Sequence, residues 1–329
     1  MEKDITFLPG DFEFAPKKDT VSGETVKTEG MAKAVLKRFF GIKSAVAGVL
    51  VVLIIVLLAI FAPVFSGYRY DEIIKETVGE TVETANNIAP TFFFEGLSDG
   101  AFKGKTFLFG TDDLGRDLWT RIWRGTRVSL LVALITIIIN LAIGLPYGLI
   151  SGYKGGITDT ILQRITEILT SIPGLVIISI LALFIPRGMG LVIVVMGITG
   201  WVGVSRIVRA STLEVKEMEY VYASRTLGSS TGKILRMTIF PNIIGPIITN
   251  MLFEIPGFIF VEAFLSFIGV GITLPDCSLG SLMEQGFESI SLYPYKIVPP
   301  VIIIALLMIS FNAIGDGFKR ALAPDAGDM

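Results

Sequence analysis

SAVAGVLVVLIIVLLAIFAPVF, residues 44–65, carries no charged residue and no break in its apolar character. A helix rises about 1.5 Å per residue, so roughly 20 apolar residues cross a hydrocarbon core ~30 Å thick. A helix apolar on every side must be buried in protein or lipid. Further uncharged apolar runs lie at 128–150, 168–186, 188–204 and 297–315. A sixth run, 243–271, is interrupted only by Glu254 and Glu262. This repetition predicts an all-α membrane protein with about six transmembrane helices.

Composition narrows the chemistry. Of 329 residues 52% are hydrophobic and 18% charged, against about 25% charged in soluble domains. The net charge of −2 offers no basic footprint for nucleic acid. The chain has no histidine, which excludes imidazole catalysis and histidine metal ligation, and its single Cys277 cannot form an intrachain disulfide or a paired-cysteine metal site. The pattern GxxxxGK[ST] does not occur, so nothing in the sequence cradles ATP phosphates. No metal or cofactor is expected on this chain. Residues 1–30 are polar and no apolar segment starts before Ser44, which reads as a retained first span rather than a cleaved signal peptide.

Lys and Arg favour cytoplasmic flanks of membrane helices. Lys33, Lys37, Arg38 and Lys43 precede the first span, Lys319 and Arg320 follow the last, and Arg206, Arg209, Lys216, Arg225, Lys233 and Arg236 fall between the fourth and fifth. The expected order is a cytoplasmic arm (1–43), the first span (44–65), an extracytoplasmic loop (66–126) and a five-helix core (127–318), ending in a cytoplasmic tail (319–329). Within the core, 206–241 is the cytoplasmic connector and 272–296 an outer loop. A tight turn is expected at Gly110, a short amphipathic helix around 118–123, and another at 282–287. Cys277, in the outer loop, is expected to be reachable from outside.

The cytoplasmic connector holds the most specific signal: MEYVYASRTLGSSTGKILRMTIFPN, residues 218–242. A helical pattern over 220–227 stops at Gly228, a residue that tolerates the left-handed conformation of a helix C-terminus. Ser229 and Ser230 can cap a second helix near Thr231, and Pro241 opens the fifth span. Ala223 and Ser224 keep one face of the first helix small, with Arg225 at its edge.

This segment resembles the cytoplasmic EAA loop of bacterial ABC importer permeases: Glu-Ala-Ala, three variable residues, Gly, nine residues, then Ile-x-Leu-Pro. Ala223, Gly228 and Pro241 match; Tyr222 replaces the acid, Ser224 the second Ala, Thr238 the Ile and Phe240 the Leu. FGTDDLGRDLWTRIWRGTRVSL (109–130), DTILQRITEILTSIPGLVI (159–177) and VEAFLSFIGVGITLPDCSLGSLMEQG (261–286) resemble, in order, segments of the dipeptide/oligopeptide/nickel permease group. In them Glu167 stands where Asp is usual and Leu279 where Trp is common.

The resemblance implies a C-type permease subunit in the cytoplasmic membrane of a bacterium, with both termini inside. Its implied partners are a second, related permease, two ATPase subunits carrying ATP and Mg²⁺, an extracytoplasmic substrate-binding protein, and membrane lipid. Tyr222, Ala223, Ser224, Arg225, Leu227, Gly228 and Pro241 become the ATPase-coupling loop. Short peptides are the implied cargo, with nickel chelates or sugars as alternatives in the same class.

Other polar residues admit two readings. Asp112, Asp113, Arg116 and Asp117 form a capped turn, or a contact for the binding protein. Glu167, Glu254 and Glu262 sit in apolar helices, where charge is costly and normally faces protein or water. They line a translocation path or pair between helices, as Glu167 could with Arg164. Pro173, Pro246 and Pro256 are expected to kink their helices; Asn140 and Asn250 can hydrogen-bond across helices, and packing is their expected role. The rival class, an ion-coupled secondary transporter, should show inverted repeats, and none is visible.

Overall fold

The computed structural model describes residues 31–91 and 100–322. The first thirty residues of the arm and the last seven of the tail lie outside them. An amphipathic helix α1 (Met31–Gly41) ends at the extended residue Ile42 and α2 (Lys43–Ser66) follows, covering the first apolar stretch. A hairpin, β1 (Lys75–Val78) with β2 (Thr81–Thr84), pairs antiparallel with Val78 opposite Thr81. It stands in the loop after α2, so the protein is helical but not wholly so.

The second apolar stretch lies in a single long helix, α3 (Leu118–Lys154). The expected short helix at 118–123 is its first turns rather than a separate element. Asp117 caps it, the side chain accepting from the Thr120 N–H, so the helix starts where its first orphan donors find a carboxylate.

The third stretch does not form one straight span. α4 (Gly156–Ser171) and α5 (Gly174–Leu181) meet at Pro173 with a bend of 78°. Proline lacks the N–H for the helical ladder and restricts the residue before it. The fourth span is α6 (Met189–Thr199) with α7 (Trp201–Val215), so it runs past the expected end at Val204 and takes Arg206 and Arg209 into the helix. The connector to the fifth span, expected to be cytoplasmic, is correspondingly shorter, starting after Val215.

It consists of α8 (Glu219–Thr226), the Gly228 turn, and α9 (Thr231–Lys233), which passes through a π-helical turn (Ile234–Ile239) into α10 (Phe240–Phe267). Ser230 occupies the cap position, but its side chain makes no cap hydrogen bond. α11 (Leu279–Glu288) fills the outer loop, closed by a capping box between Ser278 and Ser281, and α12 (Val298–Leu322) is the last span.

Which helices run together follows from the close contacts. On α3, Gly144, Gly148 and Gly152 recur at one-turn spacing against Val204, Val208 and Thr212 of α7. Both series ascend, so α3 and α7 run parallel. Parallel neighbours require a return crossing between them, and α4 with α5 is the only chain available to make it; the bent pair is therefore a span. Gly48 against Ala313, and Gly317 against Ala45, set α2 antiparallel to α12. Gly315 against Phe253, and Gly245 against Leu322, do the same for α10 and α12. Six crossings result, with α1, α8 and the end of α12 on one side and the hairpin and α11 on the other.

Small residues let membrane helices approach where lipid offers no hydrophobic drive for association. Asn140 takes the packing role rather than making an interhelical hydrogen bond. It is fully buried, its amide finds no partner, and it packs into the notch at Gly200, where an added Cβ would lie 2.3 Å from Nδ2.

Candidate coupling surface and translocation path

α8 is held from beneath and bare above. Val221 is fully buried, facing Ile234 and Ile239 of the following segment, which are buried too. The outer side exposes Tyr220, Tyr222, Ala223 and Leu227, the last at 85%. Gly228 ends α8 with φ +77. The Ser229 N–H donates to the Ser224 carbonyl (3.2 Å) and the Gly228 N–H to that of Arg225 (2.9 Å), the two bonds of a Schellman closure.

Tyr222, in the position of the acid, donates its hydroxyl to Glu217 at 2.5 Å. That bond raises the phenol's pKa and sets a carboxylate beside the ring. The Arg225 guanidinium lies 5.9 Å from the Tyr222 ring and 5.5 Å from that of Tyr153, at the end of α3. Arg225 thus touches both α8 and the α3–α7 body. Pro241 falls elsewhere: it is the second residue of α10, exposed, and lines a groove with Leu36 of α1 rather than the α8 face.

The carboxylates expected along a path separate into three environments. Glu167 is exposed on α4 and pairs with Arg164 at 2.6 Å. It stands on a surface where Ile157, Ile161, Ile165, Ile168, Leu183 and Phe184 are also exposed. Glu254 is half-buried, its Oε1 beside Gly203 of α7. Glu262 is fully buried and accepts from Ser129 (2.6 Å) and Ser266 (2.9 Å). Glu262 therefore fastens α10 to α3 and lines no open surface of this chain.

The outer cluster is likewise interior. Asp112 accepts from the Arg116 Nε at 2.7 Å and lies 3.3 Å from that of Arg121. Asp117 accepts from Thr120 and Ser66. Gly110 makes the expected turn with φ +78. Asp112, Arg116 and Asp117 are all at most 5% exposed, so the idea that they meet a binding protein does not fit; they clip the outer loop to α3. Asp113 alone is exposed, paired with the buried Lys296 at 2.6 Å. Cys277 is also buried, its Sγ 3.3 Å from the Arg121 carbonyl, so the expected reach from outside fails. The glycine repeat at 144, 148 and 152 was a legible signal that sequence reasoning passed over.

The model of the family described as "Binding-protein-dependent transport system inner membrane component" matches residues 144–327, and that of the "N-terminal TM domain of oligopeptide transport permease C" matches 30–90. The chain belongs to the binding-protein-dependent permease family. It is 38% identical to the oligopeptide transport system permease protein OppC of Bacillus subtilis, over 91% of each chain. It is also 38% identical to that organism's dipeptide transport system permease protein DppC, over 86% of this chain and 82% of the other. With OppC of Escherichia coli it shares 35% over 88% and 89%.

A structure of the MetNI methionine ABC transporter in inward-facing conformation covers 62% of this chain and 97% of its own, with TM-score 0.52 at 19% identity; that likeness concerns the fold. The chain is thus a multi-pass membrane permease subunit and not an enzyme. Family membership leaves the ion-coupled secondary transporter without support.

Proposed function

We propose that this chain forms one half of the translocation path of an ATP-driven importer of short peptides, with both termini on the cytoplasmic side. The observation that carries the reading is α8: a helix with an apolar outer face, anchored by Val221 and closed at Gly228, on the side of the bundle bearing the basic flanks. An ATPase subunit docks there, and ATP and Mg²⁺ are held by two such subunits. Their closure moves α8, and Arg225 on Tyr153 carries the displacement into the α3–α7 body.

A second, related permease covers the exposed apolar face of α4 and α5 and completes the path, with Glu167 and Glu254 nearest the opening. An extracytoplasmic binding protein delivers cargo to the side of the hairpin and α11. The names of the relatives support peptides over nickel chelates or sugars.

The test is reconstitution. The purified chain alone should hydrolyse no ATP, and its complex should respond to the loaded binding protein. Mass spectrometry of the ligand on that protein identifies the cargo, and a nickel chelate or sugar there would overturn the peptide assignment. ATP turnover by the isolated chain would overturn the permease reading.

A further inference from the structure

An apolar groove of about 800 Å³ opens at the edge of the bundle, on the side shared by α1 and α8. Its walls come from three helices: Leu36 of α1, Ile244 and Ile248 of α10, and Phe318 and Leu322 of α12. The groove follows α10 from Pro241 to Thr249, a length of about 12 Å at the helical rise. Its polar lining is sparse: Asn242, Thr249 and, at the end of α12, Lys319.

Lys319 is the charged residue of the lining, and further cations stand on the adjoining helix ends. Lys33 and Lys37, and Leu36 and Phe40, stand one turn apart along α1, and all four are exposed, Leu36 at 54% and Phe40 at 60%. That pairing of bare apolar residues with lysines belongs to a helix lying in the membrane interface. Lys43, Lys319 and Arg320 add exposed positive charge at the same level, and Asp316 is the exposed carboxylate in the last turns of α12. The inner face of α1 is taken up by the bundle, through Phe39 against Phe318 with ring centroids 6.4 Å apart. The groove therefore sits where the apolar span meets the interface, greasy along its length and positive at its mouth.

We propose that this groove binds one anionic phospholipid, an acyl chain lying along α10 beneath α1 and the phosphate at Lys319 and Lys37. Charge complementarity selects the occupant: the phosphate meets the lysines and the acyl chain needs no polar partner, whereas an extended protein segment would bring backbone polar groups into a wall offering few partners. The bound lipid would join α1 to the start of α10, which continues directly from the α8 connector.

The experiment is native mass spectrometry of the full-length chain purified in detergent with equal phosphatidylglycerol and phosphatidylcholine. Wild type should retain phosphatidylglycerol preferentially. Lys37→Gln and Lys319→Gln should each lower its retention about fivefold, the worth of one basic side chain near an anionic surface. Ile248→Trp, which fills the groove, should reduce retention of both lipids.

Equal retention of the two lipids, unchanged by these variants, would overturn the site. A photo-crosslinking residue at position 248 gives a readout that survives any misfolding of the tryptophan variant. An adduct with phospholipid supports the proposal, and one with a second permease would make the groove a subunit interface and sink it. Neither outcome depends on what the transporter carries.

Discussion

A Cβ placed on Gly148 would lie 2.5 Å from the carbonyl oxygen of Ser205 and 2.7 Å from the Cβ of Val208. With Gly144 and Gly152 a turn away on either side, α7 lies directly on the α3 backbone, its carbonyls and its Val204, Val208 and Thr212 side chains filling the space that side chains at the glycines would occupy.

Gly148→Val should therefore separate the two helices. Overpacking a close contact costs about 1–3 kcal/mol, and here the nearest obstacle is the Ser205 carbonyl, backbone that cannot rotate away. The purified variant should unfold at lower temperature than wild type. Gly190→Ala, in α6 with nothing within 4 Å of its added Cβ, should leave the melting temperature unchanged. Equal stability of the two variants would mean that α3 and α7 are not held by this contact.

At Gly228 the constraint is different. Nothing lies within 4 Å of an added Cβ, so the whole cost of substitution comes from φ +77, roughly 1–2 kcal/mol for a residue with a Cβ. Gly228→Val should lose peptide uptake at normal membrane levels, while Gly228→Asn, which tolerates the left-handed region, should keep much of it. Ala223→Glu acts at the exposed face instead and should lose ATPase subunits on pull-down. Wild-type transport by both Gly228→Val and Ala223→Glu would show that α8 is not where energy enters.

The buried carboxylate of the outer clip makes a third test. Removing one member of a buried ion pair leaves an uncompensated charge, at a cost of about 3–5 kcal/mol. Asp112→Ala strands Arg116 and Arg121 in this way, and should both lower thermal stability and open residues 66–117 to proteolysis. Arg69→Ala, whose partner Asp71 is at the surface, should behave like wild type.

Cys277 provides a fourth. It is enclosed, and burial pushes its thiol pKa up, so the reactive thiolate is scarce as well as shielded. A membrane-impermeant maleimide should modify it only after denaturation. Thr81→Cys, on the exposed hairpin, should be labelled in intact cells or spheroplasts. Labelling of that cysteine only after the membrane is opened would reverse the proposed orientation.

The sequence by itself determined the membrane class, six crossings, the turns at Gly110 and Gly228, and the connector that carries the family signature. Each rests on local chemistry: apolar length set by bilayer thickness, or a backbone conformation that one residue type reaches cheaply. Pro173 likewise announced a break in the third span. Its 78° bend, and the return crossing that the bent pair makes, emerged only from the parallel packing of α3 on α7. Tertiary structure also decided the fate of the polar residues. Glu167, Glu254 and Glu262 look alike in sequence, yet one is exposed, one half-buried and one enclosed by serines. Asp112 and Cys277 read as outer-loop residues and are interior. Burial depends on which distant helix covers a side chain, and no local pattern along the chain encodes that.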